Sequence, residues 1–372
     1  MKILIATGLY PPEIGGPATY SATLERELPR SGIETIVLPF KRVRKAPVII
    51  RHIWYFFLVL REGKHADILY AQDPVSVGLP TMLAAFFLRK KFVVKVVGDY
   101  AWEQASQRFD FTGTVEDFQH AELLLIPQLL RALERFVARR AVRVVVPSKY
   151  LGKIVREWGV EKKVITVIYN GMEELADTGN REVLRGLLKF SGHLLISIGR
   201  LVPWKGFKEL IGISARLKKD FPDLKLMIIG AGPDLALLEQ EAEAKGLADD
   251  VIFTGALPRD VLLRYVRASD VFVLNSRYEG FSHQLLEVMM VGVPIIATKI
   301  GGNPEAIDHE QSGFLVAPND TKHIENYTKA LLTDTALRAR VVLAAKRKVK
   351  QFSTERMVAE TVQLLKSLSD KA

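Results

Sequence analysis

The stretch Asp270–Glu305, DVFVLNSRYEGFSHQLLEVMMVGVPIIATKIGGNPE, decides the reading of this chain. Its opening run, Val271 to Asn275, is short and apolar, as expected for a strand covered on both faces. A loop follows with one carboxylate, Glu279, beside Gly280. Leu285, Leu286, Val288, Met289 and Met290 then recur at helical spacing, and Ser282 or a neighbour begins the helix. A second apolar run, Pro294 to Thr298, leads into a Gly301-Gly302 turn. Strand, acidic loop, helix and strand make a βαβ unit of a parallel sheet, whose ligands bind at the carboxyl ends of the strands.

Glu279 and Glu287 are not read as an acid/base pair. Eight helical steps leave them roughly 80° apart even if both were helical, and Glu279 falls outside the helix. A carboxylate accepts two hydrogen bonds and so suits a vicinal diol. A helix-start carboxylate plus a solvated Glu explains the pattern equally well.

Outward from this unit the chain repeats the same alternation. In the first half, strands are predicted at 2–7, 34–40, 68–71, 92–97, 142–146 and 164–169. Predicted helices lie between them at 18–31, 46–62, 75–89, 122–140 and 149–157. In the second half, strands fall at 194–198, 224–229, 251–254, 271–275, 294–298 and 313–316, and helical patterns at 336–350 and 354–369 close the chain. At 372 residues one ordinary core is exceeded. The expectation is two α/β Rossmann-like domains facing across a cleft: 1–172, 173–352, and a last helix, 353–372, crossing back to the first. Residues 173–185 read as a polar connection, and 98–118 as a long polar and aromatic loop. The apolar run Ile53 to Leu60 is too short to span a bilayer and is read as a helix buried against the sheet, in preference to a membrane-facing helix.

There is no cysteine, which removes disulfides and thiolate chemistry and fits a reducing compartment. The first residues enter a strand directly with no leader before it, so the expected location is cytoplasmic. Charge is uneven: residues 1–170 hold 25 Lys and Arg against 16 Asp and Glu, and the remainder 27 against 26. A basic first half suits contact with anionic membrane from its inner face, an acidic acceptor or nucleic acid, and equally a solvated surface. A nucleic-acid role lacks an aromatic-basic platform, so no nucleic-acid partner is expected.

Strand ends carry the remaining signals. Gly199-Arg200 and Lys205-Gly206 place two cations around one turn, able to clamp a diphosphate. Gly230-Ala-Gly-Pro233 follows another strand but lacks the last glycine of a dinucleotide fingerprint. Tyr10-Pro-Pro-Glu-Ile-Gly-Gly-Pro17 lets backbone amides approach a ligand at a helix start. Asp-x-Asp, a nucleophile elbow and a phosphate loop of the ATPase type are absent, and the seven histidines are scattered.

Taken together these motifs resemble the retaining glycosyltransferases of family 4, which have the GT-B fold, and the resemblance runs over essentially the whole chain. The family's Glu-x7-Glu matches Glu279 and Glu287, and its Gly-Arg and Lys-Gly match Gly199-Arg200 and Lys205-Gly206. Its Gly-x-Gly-Pro matches Gly230–Pro233, its Gly-Gly-x-x-Glu matches Gly301-Gly302 with Glu305, and its first loop matches Pro11-Pro12 with Gly15-Gly16. The resemblance implies Arg200 and Lys205 on the donor diphosphate with amides near Gly16. It puts Glu279 on the sugar hydroxyls with backbone at Gly280, Phe281 and Ser282. Glu287 falls on the ribose and Leu257 near the base. It implies a UDP- or GDP-sugar co-substrate, no cofactor and no metal, and a sugar, lipid-linked or small-molecule acceptor on the first domain. Many relatives carry a His at the end of the fourth strand; here Val97-Gly98-Asp99 has none, and Asp99 takes the position as catalytic candidate. The alternatives are a nucleotide-sugar 2-epimerase of the same architecture, opposed by the Glu-x7-Glu pattern, and a basic nucleic-acid-binding protein, opposed by the missing aromatic-basic platform.

Overall fold

The computed structural model describes residues 1–13, 15–173, 179–188 and 191–369. The chain divides into two compact units, Met1–Gly171 with Ser353–Ala372, and Met172–Phe352. Each is a six-stranded sheet in which every paired strand is parallel.

The first sheet holds β1 (Lys2–Thr7), β2 (Glu34–Pro39), β3 (Ile68–Ala71), β4 (Lys91–Lys95), β5 (Arg143–Val146) and β6 (Ile165–Val167), in the order β2-β1-β3-β4-β5-β6. The second holds β7 (Leu194–Ile198), β8 (Lys225–Ile229), β9 (Val251–Phe253), β10 (Val271–Leu274), β11 (Ile295–Thr298) and β12 (Phe314–Val316), in the order β12-β11-β10-β7-β8-β9. Central strands are buried along their length, as Val- and Ile-rich runs between helical layers must be. In each sheet the strand order reverses once, between β1 and β3 and between β7 and β10. The crevice outside such a switch point is where open α/β sheets bind ligands.

The final helix, Thr354–Ser369, contributes Met357, Leu365 and Leu368 to the core of the first unit, beside Ile3, Ile5 and Tyr70.

Three local expectations change. The stretch 98–118 contains two helices, Tyr100–Arg108 and Val115–His120. The Asp99 side chain caps the first of them, and a Thr114–Asp117 capping box starts the second. The connection read at 173–185 ends in a helix, Arg181–Leu187, capped by Asn180; 174–178 lie outside the described residues. The apolar helix Val48–Gly63 is not buried against its sheet: Tyr55, Val59 and Gly63 are, but Ile49, Ile53, Trp54 and Phe57 are exposed. Among the described residues no helix is long and apolar enough to cross a membrane.

Candidate functional site

In the second unit, the loops leaving four strands interlock at the switch point. Arg277 N–H donates to Trp204 O at 2.7 Å and Asn275 Nδ2 to Gly206 O at 3.1 Å, tying the loop after β10 to the loop after β7. Leu201 N–H donates to Ala231 O at 3.1 Å, bringing in the loop after β8, and Gly302 N–H donates to Glu279 O at 3.0 Å, bringing in the loop after β11. Two glycines make this possible. Gly230 has φ 146° and a Cβ there would stand 1.9 Å from Gly199 O. Gly301 has φ 53° and a Cβ would stand 1.8 Å from Glu279 O. The Gly-x-Gly-Pro and Gly-Gly motifs thus serve backbone-on-backbone contact between loops.

The interlock positions charge. Lys205 Nζ donates to Glu279 Oε1 at 2.6 Å, and Ser276 Oγ donates to the same oxygen at 2.7 Å. The pair is nearly dry, with side chains 13% and 10% exposed. Gly280, Phe281 and Ser282 are buried around the turn, and Ser282 Oγ accepts from Leu285 N–H to start the helix His283–Val291. Arg200 is exposed at the start of the loop leaving β7. Glu287 lies inside the helix and accepts from Arg259 Nε at 2.7 Å. Leu257 is half-buried just before the helix Arg259–Ala268. Ser276 and Arg259 went unremarked in the sequence, although Ser276 directly follows the strand end where ligands are sought.

In the first unit, the switch point is occupied by a cavity of about 590 Å³. Gly8 and Leu9 beyond β1, and Gln72 and Asp73 beyond β3, form its floor; Arg44, Arg51, Tyr100 and Glu103 wall it. Pro17 also lines it, one residue past Gly16, which opens the helix Gly16–Glu27 without any side-chain cap. Asp73 Oδ1 accepts from the amides of Ser76 and Val77. Burial pushes the Asp73 carboxyl above its usual range, with those amides pulling the other way. Among the described residues Arg51 Nε and Gln72 Nε2 are buried with no hydrogen-bond partner, so both have donors to offer a ligand. None of the cavity's charged residues belongs to a recognised motif. The signal that was available is positional: Gln72-Asp73-Pro74 sits at a strand end beside the reversal of strand order.

Asp99 is placed differently from its neighbours. Gly98 and Tyr100 line the cavity, whereas Asp99 is fully buried. Its carboxylate accepts from Trp102 N–H and from Gln119 Nε2, both at 2.8 Å, and shares a hydrogen bond with Glu134. Burial raises the Asp99 carboxyl and raises Glu134 further. This geometry makes Asp99 a fixture holding the 98–120 segment, through which Tyr100 is aimed at the cavity.

Two family models match in succession. Glycosyltransferase Family 4 covers residues 14–174, and Glycosyl transferases group 1 covers residues 187–348. The chain is 25% identical over 378 residues to N-acetyl-alpha-D-glucosaminyl L-malate synthase of Bacillus anthracis, spanning 97% of this chain and 96% of that one. It is 27% identical over 231 residues to 2-deoxystreptamine glucosyltransferase of Streptomyces kanamyceticus, spanning 60% of this chain and 58% of that protein's length. Among solved structures, Anabaena HepE in complex with UDP-glucose superposes with a TM-score of 0.79 at 21% identity, covering 99% of this chain and all of that one. Sucrose-phosphate synthase from Thermosynechococcus elongatus gives 0.80 at 18%, with both chains covered throughout. One family model falls largely on each of the two units, and the fold is that of the solved relatives. The chain therefore belongs to the family 4 glycosyltransferases of GT-B fold and is an enzyme of that class.

Proposed function

We propose that this enzyme moves a hexosyl group from a nucleoside-diphosphate sugar, UDP- or GDP-linked, to an acceptor hydroxyl, with retention and without a metal ion. The observation that carries the reading is the dry Lys205–Glu279–Ser276 cluster at the second switch point. A cation already desolvated and oriented needs little reorganisation when negative charge develops on a departing diphosphate. Lys205 and Arg200 meet that charge. Glu279, with backbone at Gly280, Phe281 and Ser282, reads the sugar hydroxyls. Glu287, oriented by Arg259, reads the ribose, and Leu257 lies toward the base. Amides at Gly16 approach the same diphosphate. The relatives' names support a donor of this kind: HepE is described with UDP-glucose, and the streptamine enzyme is named a glucosyltransferase.

The acceptor, a glycan, lipid-linked or small-molecule hydroxyl, binds in the first unit's cavity. Arg44 and Arg51 favour an acceptor with a carboxylate or phosphate, and Asp73 offers an oxygen to its hydroxyl. Asp99 acts by positioning. The basic first half brings the protein to anionic lipid at the inner face of the membrane.

The test has two steps. A thermal-shift screen of UDP-, GDP- and ADP-sugars identifies the donor, because a ligand bound only by the native state raises the melting temperature. Arg200→Ala and Lys205→Ala then lower transfer from that donor, each by roughly a hundredfold or more. Wild-type turnover in both variants would sink the assignment.

A further inference from the structure

Helix Val48–Gly63 carries a contradiction that the donor and acceptor sites leave untouched. Its exposed face is its apolar one: Ile49 is 74% exposed, Trp54 53% and Phe57 60%. The helix Leu79–Leu88 extends the same patch, with Phe86 75% and Phe87 67% exposed. The two helices join there through a ring contact, Phe56 to Phe87 at 5.9 Å, and Phe57 packs on Phe56 within the first helix at 5.3 Å. A contiguous patch of this kind marks an interaction surface.

Charge identifies the partner. Lys41, Arg42, Arg44 and Lys45 lie exposed before the first helix, Arg44 paired with Glu13, and Arg89 and Lys90 follow the second directly. No Asp or Glu occurs from Lys41 through Arg61, or from Leu79 through Lys91. A helix with bulky aromatics on one face, rimmed by Lys and Arg and with its one acid, Glu62, in the last turn and paired with Arg61, matches the interface of an anionic bilayer. At 16 residues the first helix is about 24 Å long, fitting a helix lying in the interface rather than crossing it.

We infer that this two-helix face inserts into the surface of an anionic bilayer, with Trp54, Phe57 and Phe86 entering the apolar boundary. This goes beyond attraction by a basic half, because it names an apolar insertion that salt alone does not remove. Arg51 on the same helix walls the first unit's cavity. On the reading that this cavity holds the acceptor, the acceptor is an amphiphile taken from the lipid surface.

The protein supplies its own probe. Of its four tryptophans, Trp102, Trp158 and Trp204 are buried and Trp54 is exposed. Addition of phosphatidylglycerol–phosphatidylcholine vesicles in roughly equal parts shifts the emission to the blue, and Trp54→Phe abolishes the shift while leaving binding intact. In flotation, the double variant Trp54→Glu, Phe57→Glu lowers the bound fraction at least tenfold. Wild type retains part of its binding at about 1 M salt, where charge attraction is screened beyond roughly 3 Å. Both positions are exposed and Glu suits a helix, so circular dichroism and the melting shift given by the donor nucleotide stay as in wild type. That nucleotide shift separates loss of docking from failure of the donor reading. Equal binding by the double variant, complete release of wild type by salt, or no vesicle binding together with a dimer that the variant dissolves would overturn the inference.

Discussion

The two switch points solve one problem by opposite means. In the second unit the strand ends are closed over by interlocked loops, and the site is a set of charges fixed on packed backbone: Lys205 on Glu279, Gly301 against Glu279 O, Gly230 against Gly199 O. In the first unit the strand ends open on a cavity walled by long side chains, Arg44, Arg51, Tyr100 and Glu103. A common ligand calls for a fixed frame, whereas walls of side chain change their reading with each substitution. The comparison teaches that the half proposed to hold the donor is specified by backbone and the half proposed to hold the acceptor by side chains.

Paired glycine substitutions break the comparison most sharply. Gly301→Ala forces a Cβ to 1.8 Å from Glu279 O at a φ of 53°. The loop must move, and it takes Glu279 away from Lys205. A cost of roughly 3 kcal/mol and near-complete loss of transfer are expected. Gly8→Ala in the first cavity meets only Asp73 Oδ2, at 3.2 Å. It leaves the melting temperature within a degree or two, equivalent to about 0.5 kcal/mol or less, and changes mainly the KM for acceptor. Equal destabilisation by the two, read from thermal melts, would remove the contrast between frame and wall.

Asp73→Asn sharpens the other side. Asn keeps the oxygen that accepts from Ser76 and Val77 and is an equally good cap, so the fold stays. It removes the carboxylate oxygen next to Gly8. Transfer falls by roughly tenfold to a hundredfold, while calorimetric affinity for the nucleotide, held by the second unit, does not change. A matching loss of nucleotide affinity would show that Asp73 serves the frame and not the acceptor.

The same contrast explains what the sequence disclosed. Short Val- and Ile-rich runs located the twelve strands of the described residues, because strands between helical layers are dominated by apolar residues even where a Lys, Arg or Glu stands at an end. Glycine motifs located the loops of the second unit, because a Cβ less than 2 Å from a carbonyl oxygen permits no other residue at Gly230 or Gly301. The cavity of the first unit left no such trace. Arg44 and Arg51 reach it from the end of one loop and the start of a helix, and only the fold brings them beside Gln72 and Asp73. Helix 48–63 misled for a related reason: an apolar face has the same sequence pattern whether it meets a core or a lipid surface. The segment 98–118 misled because its helices, nine and six residues long, are held by caps and a buried network more than by apolar periodicity.

That network gives the smallest effect and a test of what Asp99 does. Glu134 accepts from Tyr100 N–H at 2.8 Å and Ala101 N–H at 3.1 Å and faces Asp99 across a shared hydrogen bond. Burial first, and then the charge of Asp99, raise the Glu134 carboxyl well above its ordinary 4.5; burial raises Asp99 as well, against the pull of Arg135. A carboxyl whose folded-state pKa is raised stabilises the fold fully below its unfolded value. That contribution is lost as pH climbs through the folded value. The window therefore opens near pH 4.5 and runs upward, the reverse of a salt-bridged carboxylate. Glu134→Gln donates to Asp99 at every pH but accepts one backbone amide fewer, a loss of about 1 kcal/mol. Below the window the variant melts below wild type; with rising pH the two curves converge, because the variant no longer sheds a proton there. If both proteins lose stability in parallel between about pH 5 and pH 8, the pair holds no shared proton, and the positioning role proposed for Asp99 fails.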